Sequence, residues 1–147
     1  MSDTFTVGNT NFSSRLLVGT GKFASYSLMR EALEASRADI VTVALRRAGT
    51  AQSEGDILSY IPDTMHLLPN TSGARNAEEA IRIARMAREL GCGNLIKIEV
   101  IQDQRYLMPD NMETIKATEI LAKEGFVVFP YMSPNLMDAK RLVDSGC

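Results

Sequence analysis

The chain is poor in the residues and patterns that most sharply mark a function. It has two cysteines, Cys92 and Cys147, and one histidine, His66, among 147 residues. Two cysteines give neither the density of a disulfide scaffold nor the spacing of a metal site. One histidine excludes a histidine-rich metal centre within this chain. Charge of one sign is lacking too: 16 basic residues stand against 18 acidic ones, a net charge of −2. That removes the electrostatic footprint of a nucleic-acid or anionic-membrane binder. No apolar run approaches the roughly 20 residues of a membrane span. The opening MSDTFTVGNT has neither the basic nor the apolar region of a secretory signal. Low-complexity tracts and domain linkers are missing as well. These absences describe a soluble, cytoplasmic protein, with neither nucleic acid nor membrane among its expected partners.

What is present is an alternation of short β-like runs with longer helical ones. FTVG and NFSS, joined around Asn9-Thr10, read as a small opening hairpin. Five βα units follow. Their strands are Arg15 to Gly19, Asp39 to Leu45, Thr64 to Leu68, Asn94 to Val100 and Phe126 to Pro130. The helices run from about Ser25 to Ser36, Ala77 to Leu90, Met112 to Glu124 and Pro134 to Ser145, with a short helical piece at DILSYI. Asn76 with Glu79, and Asp110 with Glu113, have capping-box spacing, and Ser133-Pro134 offers an N-cap followed by a first-turn proline. Gly91, Gly125 and Gly146 sit where a left-handed residue closes a helix. Such alternation implies a parallel sheet covered by helices, an α/β protein. Residues 1–147 read as a single domain. Both a doubly wound open sheet and part of a (β/α)8 barrel fit the pattern, since a barrel needs about 250 residues.

In either architecture the reactive groups gather at the C-terminal strand ends. That end collects GTGKF, Arg46-Arg47, PNTSGA, Lys97 with Glu99, and PYMS. NLIKIEV carries the sharpest signal. Side chains two apart share a strand face, so Lys97 and Glu99 stand together while Ile96, Ile98 and Val100 fill the other. A desolvated lysine amine can attack a carbonyl, and a carboxylate beside it can move protons. The two effects oppose each other, because an anionic Glu99 favours the ammonium form of Lys97. The bland reading is an ion pair that only fixes strand register. Gly19-Thr20-Gly21-Lys22 lacks the spacing of a nucleotide P-loop and reads as a tight turn. Asn70, Thr71 and Ser72 either line a pocket or make a turn. Arg46-Arg47 suits an anion or a solvated strand end. His66 reads as a packed core residue, the eight methionines as core filler, and Cys92 has no activating neighbour in sequence.

The stretches SRLLVGTGKF, DIVTVALRR, LLPNTSGARNAEEAIRIAR, IKIEVI, LMPDNMETIKATEIL and EGFVVFPY follow in order from Asn11 to the end of the chain. Together they resemble the bacterial thiazole synthases of thiamine biosynthesis. The resemblance implies a (β/α)8 TIM barrel, of which this chain holds about the first five βα units. It implies a transferase-type enzyme in which Lys97 forms an imine with the ketone of 1-deoxy-D-xylulose 5-phosphate. Sulfur then arrives from the thiocarboxylate of a sulfur carrier protein, and condensation with dehydroglycine closes the thiazole ring. Glu99 matches the family's proton-moving carboxylate. Gly19, Thr20, Asn70, Thr71 and Ser72 are the expected substrate-binding positions. No cofactor and no metal are implied, and a homo-oligomer is expected. Family members run on for roughly another hundred residues, as a barrel requires. Against that pattern the sixth, seventh and eighth strands, a further acidic residue and the glycine-rich phosphate-holding loops are missing from these 147 residues, which are not expected to complete the reaction alone. Two alternatives stay open: a Schiff-base aldolase acting on a sugar phosphate, and a catalytically incomplete half-barrel fragment.

Overall fold

A computed structural model describes residues 3–45 and 56–147. Arg46-Arg47 and the polar loop that follows them lie outside the described residues. The chain forms an α/β fold, a two-stranded hairpin followed by a five-stranded parallel sheet whose strands alternate with helices. It divides into two compact units, Met1–Leu68 and Pro69–Cys147.

The first unit opens with β1 (Phe5–Val7) and β2 (Thr10–Phe12), paired antiparallel. Gly8, one residue earlier than the expected turn, has φ 57, a conformation that costs glycine nothing at the first position of a II′ turn. Phe5 faces Phe12 across the pair at 5.4 Å, and Phe12 is fully buried. Next come β3 (Leu17–Gly19), α1 (Tyr26–Ser36) and β4 (Ile40–Ala44), with β3 and β4 parallel. Ser25 caps α1 by accepting from the Leu28 amide, and Arg37 ends it at φ 53. Met29 and Leu33 of α1 close over Val41 and Val43, with Ile57 and Ile61 of a 3-10 turn completing this core.

One carboxylate ties the unit's ends together. Asp39, just before β4, accepts hydrogen bonds from the Ser13 and Ser14 amides and from the Ser13 hydroxyl. Its own carbonyl accepts from the His66 amide at 2.8 Å. His66 begins β5 (His66–Asn70), two residues later than the sequence suggests, because the strand continues through Pro69 and Asn70. It is exposed and edge-on to Phe12 at 5.2 Å rather than packed in the core.

The second unit holds the end of β5, then α2 (Ala77–Glu89), β6 (Leu95–Ile98), α3 (Asn111–Lys123), β7 (Val127–Pro130) and α4 (Leu136–Asp144). Strands β5, β6 and β7 pair parallel. The buried residues of α2 are Ala77, Ala80, Ile81, Ala84 and Ala87, a helical stripe that is small-sided except at Ile81, and α2 packs against α3. Thr114, Ala117, Thr118 and Leu121 are the buried positions of α3. Both expected capping boxes form only by half. Asn76 and Asp110 accept from the amides of Glu79 and Glu113. The returning carboxylates go elsewhere, Glu79 to the Arg75 amide and Glu113 to the Ala77 amide. Glu113 thus joins the start of α2 to α3. Lys116 and the Ala77 N–H hold its carboxyl below the ordinary value. Ser133 does not cap α4; Asn135 does, accepting from the Asp138 amide. Ser133 instead donates its amide to Asn111 and gives its carbonyl to the same side chain. Gly91, Gly125 and Gly146 take φ of 82, 82 and 98, as the sequence suggests. The methionines are not simply core filler: Met29 is buried, whereas Met86, Met108, Met112 and Met137 are exposed.

The Asp39 carboxyl lies below its ordinary 3.8, held first by the Ser14 amide and then by Ser13. A depressed folded-state value adds stability that is complete above the unfolded value and lost as pH falls through the folded one. Asp39→Asn should therefore lower stability at pH 7 by about 1.5 kcal/mol, the worth of charge-assisted hydrogen bonds. The gap from wild type should close as pH drops below about 4. Urea unfolding of both proteins across the acid range checks this; a pH-independent gap would refute it.

Candidate active site

The residues of β6 and the two that follow it alternate in burial as their chemistry demands. Ile96, Ile98 and Val100 are completely buried, and α3 packs against β6 and β7. Lys97 and Glu99 emerge on the other face, their side chains 35% and 18% exposed. Lys97 Nζ lies 3.8 Å from Glu99 Oε1. The pair is thus neither sealed in the core nor fully solvated, a setting where a carboxylate interacts with an ammonium more strongly than in water. The sequence expectation of a buried amine is met only in part, since a third of the Lys97 side chain is exposed.

Register brings further groups to this face. Asn70 of β5 is the partner of Lys97, and Lys97 is the partner of Phe129 on β7. Paired residues of parallel strands share a face, so Asn70, Lys97 and Phe129 stand in one row, all half-buried. Two residues beyond Phe129, Tyr131 places its ring 5.5 Å from Lys97 Nζ, within range of a cation–π contact. Its amide donates to the Ile98 carbonyl at 2.9 Å, and its hydroxyl reaches the Leu107 carbonyl at 3.4 Å. In the sequence PYMS falls at this end of the strands, but no local pattern marks Tyr131. The available signal was an aromatic just past the strand that pairs with the lysine strand.

The other expected substrate-binding positions divide. Asn70 turns its side-chain oxygen to the Ser72 amide at 3.1 Å, and Gly73 follows at φ 99, so this stretch makes a turn. Thr71 is fully buried, and its hydroxyl is committed to the backbone of Glu99. Asn70 therefore pairs with Lys97 and Thr71 with the Glu99 backbone, in the same unit as Ser72, with Thr71 behind the face rather than on it. Gly19 and Thr20 belong to the first unit. Gly19 is the exposed last residue of β3, and a Cβ there would meet Thr42 Oγ1 at an ordinary 3.5 Å. Thr20 donates its hydroxyl to the Thr42 carbonyl at 3.1 Å. Lys22, at φ 69, belongs to the βα turn that the missing P-loop spacing suggests. Among the described residues no cluster of three or more histidine, cysteine or acidic side chains is arranged to hold a metal. No described helix is long and apolar enough to cross a membrane.

Residues 6–147 match the family model described as Thiazole biosynthesis protein ThiG. The chain belongs to the ThiG family. It is 63% identical over 142 residues to the thiazole synthase of Alkaliphilus metalliredigens, covering 97% of this chain and 55% of that protein. It is 62% identical over 146 residues to the thiazole synthase of Pelotomaculum thermopropionicum, covering 99% and 57%. The chain thus spans a little over half the length of these relatives. Among solved structures it resembles a chain in the Amycolatopsis orientalis BexX/CysO complex, with a TM-score of 0.80 and 31% identity over 97% of this chain and 59% of that one.

If the Tyr131 ring and the Lys97 ammonium attract each other as the geometry implies, their contributions to stability are coupled. A double-mutant cycle of Lys97→Met and Tyr131→Leu, read by urea unfolding, should give a coupling energy of about 0.5–1 kcal/mol. Additive effects within error would show that the contact contributes nothing.

Proposed function

We propose that the chain carries the imine-forming centre of a thiazole synthase of thiamine biosynthesis. The observation that carries this reading is the Lys97–Glu99 pair, 3.8 Å apart on a half-buried face at the C-terminal strand end of a ThiG-family chain. The family relationship supports the reaction: 1-deoxy-D-xylulose 5-phosphate, dehydroglycine and sulfur from a thiocarboxylated sulfur carrier protein condense to the thiazole phosphate. In our reading the βα units belong to one (β/α)8 barrel domain, the hairpin leads into it, and the protein works in the cytoplasm as a homo-oligomer. A carrier-protein partner draws support from the structural relative, which was solved as a complex with CysO.

The chemistry follows from the two side chains. The neutral Lys97 amine attacks the ketone carbon, forming the C–N bond of a carbinolamine. Nitrogen gives up a proton, the hydroxyl gains one, and water leaves to form the imine. Glu99 is the group within reach to take the first proton and return the second. The imine draws electrons from the adjacent carbons, so the same carboxylate serves the proton shifts that let sulfur enter. The Tyr131 ring holds the ammonium in place between turnovers. Asn70, the register partner of Lys97, and Ser72 are the proposed substrate contacts of the second unit, and Gly19 and Thr20, at the end of β3, those of the first.

Incubating the full-length protein with 1-deoxy-D-xylulose 5-phosphate and reducing with borohydride should leave one adduct, mapped by mass spectrometry to Lys97. Lys97→Ala should abolish it with an unchanged circular dichroism spectrum, and Glu99→Gln should slow its formation by about a hundredfold or more. An adduct at wild-type level in Lys97→Ala would overturn the assignment.

A further inference from the structure

We propose that Thr71 is a positioning residue that sets Glu99 against Lys97, through a side chain that replaces a missing rung of the β5–β6 ladder. The proposal rests on the reading of Lys97 and Glu99 as the reactive pair and gives Thr71 a role other than substrate contact.

Strands β5 and β6 are in register at Lys97. Asn70 pairs with Lys97, and the Thr71 amide donates to the Lys97 carbonyl at 3.1 Å. In a parallel pair the next residue after Lys97 to turn its backbone groups to that side is Glu99, just past the end of β6. No β5 backbone is there to meet it, because the chain leaves the strand in a turn. The Asn70 side chain closes that turn on Ser72, the Thr71 carbonyl accepts from the Ala74 amide, and Gly73 runs at φ 99. The chain returns only at Ala74, which bridges to Val100. The gap leaves both the N–H and the C=O of Glu99 without a backbone partner on that side. The Thr71 hydroxyl fills it alone, accepting from the Glu99 amide at 2.8 Å and donating to the Glu99 carbonyl at 2.9 Å. Donor and acceptor in one group, as only a hydroxyl supplies from so short a side chain, match both halves of the missing rung.

Burial gives this arrangement its leverage. Thr71 and the flanking Ile98 and Val100 are fully inaccessible to solvent, so no water stands ready to replace the hydroxyl. Losing it would leave a buried amide and carbonyl unpaired, a cost that the backbone relieves by moving. Glu99 is the residue that would move, and its carboxylate would leave its 3.8 Å separation from Lys97. A displacement of about 1 Å in a reacting group can cost a hundredfold in rate.

The test separates this role from a general loss of fold. Thr71→Val keeps volume and branching but removes the hydroxyl, whereas Thr71→Ser keeps the hydroxyl and loses a methyl. Each is made in wild type and in Glu99→Gln, in the full-length protein. The first readout needs no substrate: competitive acetylation by a limiting anhydride, with Lys97 labelling normalised to exposed Lys123. The second is the rate of borohydride-trapped adduct. Thr71→Val should slow adduct formation at least about tenfold and shift Lys97 labelling as Glu99→Gln does. Thr71→Ser should restore both to within about twofold of wild type. In the Glu99→Gln background, Thr71→Val should change neither by more than about twofold, because a residue acting through Glu99 has nothing left to act on. Equal effects of Thr71→Val in both backgrounds, or wild-type labelling in Thr71→Val, would overturn the proposal. Absence of any adduct in wild type would instead refute the imine reading, and the labelling comparison would still decide the role of Thr71.

Discussion

The alternation along β6 is the constraint on which the second unit depends. Three fully buried side chains, Ile96, Ile98 and Val100, occupy one face, and a lysine and a glutamate occupy the other. Burying each apolar side chain contributes about 2 kcal/mol, whereas forcing an unpaired ammonium into the core costs more than that. A one-residue slip would exchange the two faces and suffer both losses together. Register is therefore strongly specified. With it comes the row of Asn70, Lys97 and Phe129, and with that row the placing of Glu99 and Tyr131 one step further along the strands.

The helices of this unit hold that row through packing of a particular kind. Alanines at 77, 80, 84 and 87 give α2 a narrow buried stripe, and the Glu113 carboxylate reaches across from α3 to the first amide of α2. A negative charge there also suits the positive end of the helix. At the other end, the Arg88 guanidinium lies 3.5 Å from the centre of the Phe126 ring and donates to the Glu124 carbonyl. Arg85 binds the Glu124 carboxylate. Both ends of α2 are thus tied to α3 and the residues that directly follow it.

The periodic parts of this fold were legible in the sequence, and the parts set by distant partners were not. IKIEV announces two different faces because strand periodicity is a local property. The glycines at 91, 125 and 146 announce helix ends for the same reason. Ser133-Pro134 misled because the cap at α4 was decided by Asn111, 22 residues away, which takes both backbone groups of Ser133. His66 looked like core by its apolar neighbours, yet the strand starts there and the ring lies on the hairpin. The capping carboxylates of Glu79 and Glu113 had the right spacing but found better donors one residue back or one helix across. The candidate site divides along the same line. Lys97 and Glu99 were visible as a pair, whereas Thr71 and Tyr131 acquire their relation to that pair only through parallel register, across separations that no local pattern encodes.

The order of the elements bears on how the protein is made. In the hairpin β1 meets β2, in the first unit β3 meets β4, and in the second β6 meets β7, α2 meets α3 and α3 meets α4. Strand partners are sequential but lie a whole helix apart, Leu17 opposite Ile40 and Leu95 opposite Val127, so each parallel pair closes only once its crossover has been made. A chain so built gains structure in the order in which it leaves the ribosome. Each emerging strand finds its partner already made, while the growing sheet keeps two open edges, β3 at one side and the newest strand at the other.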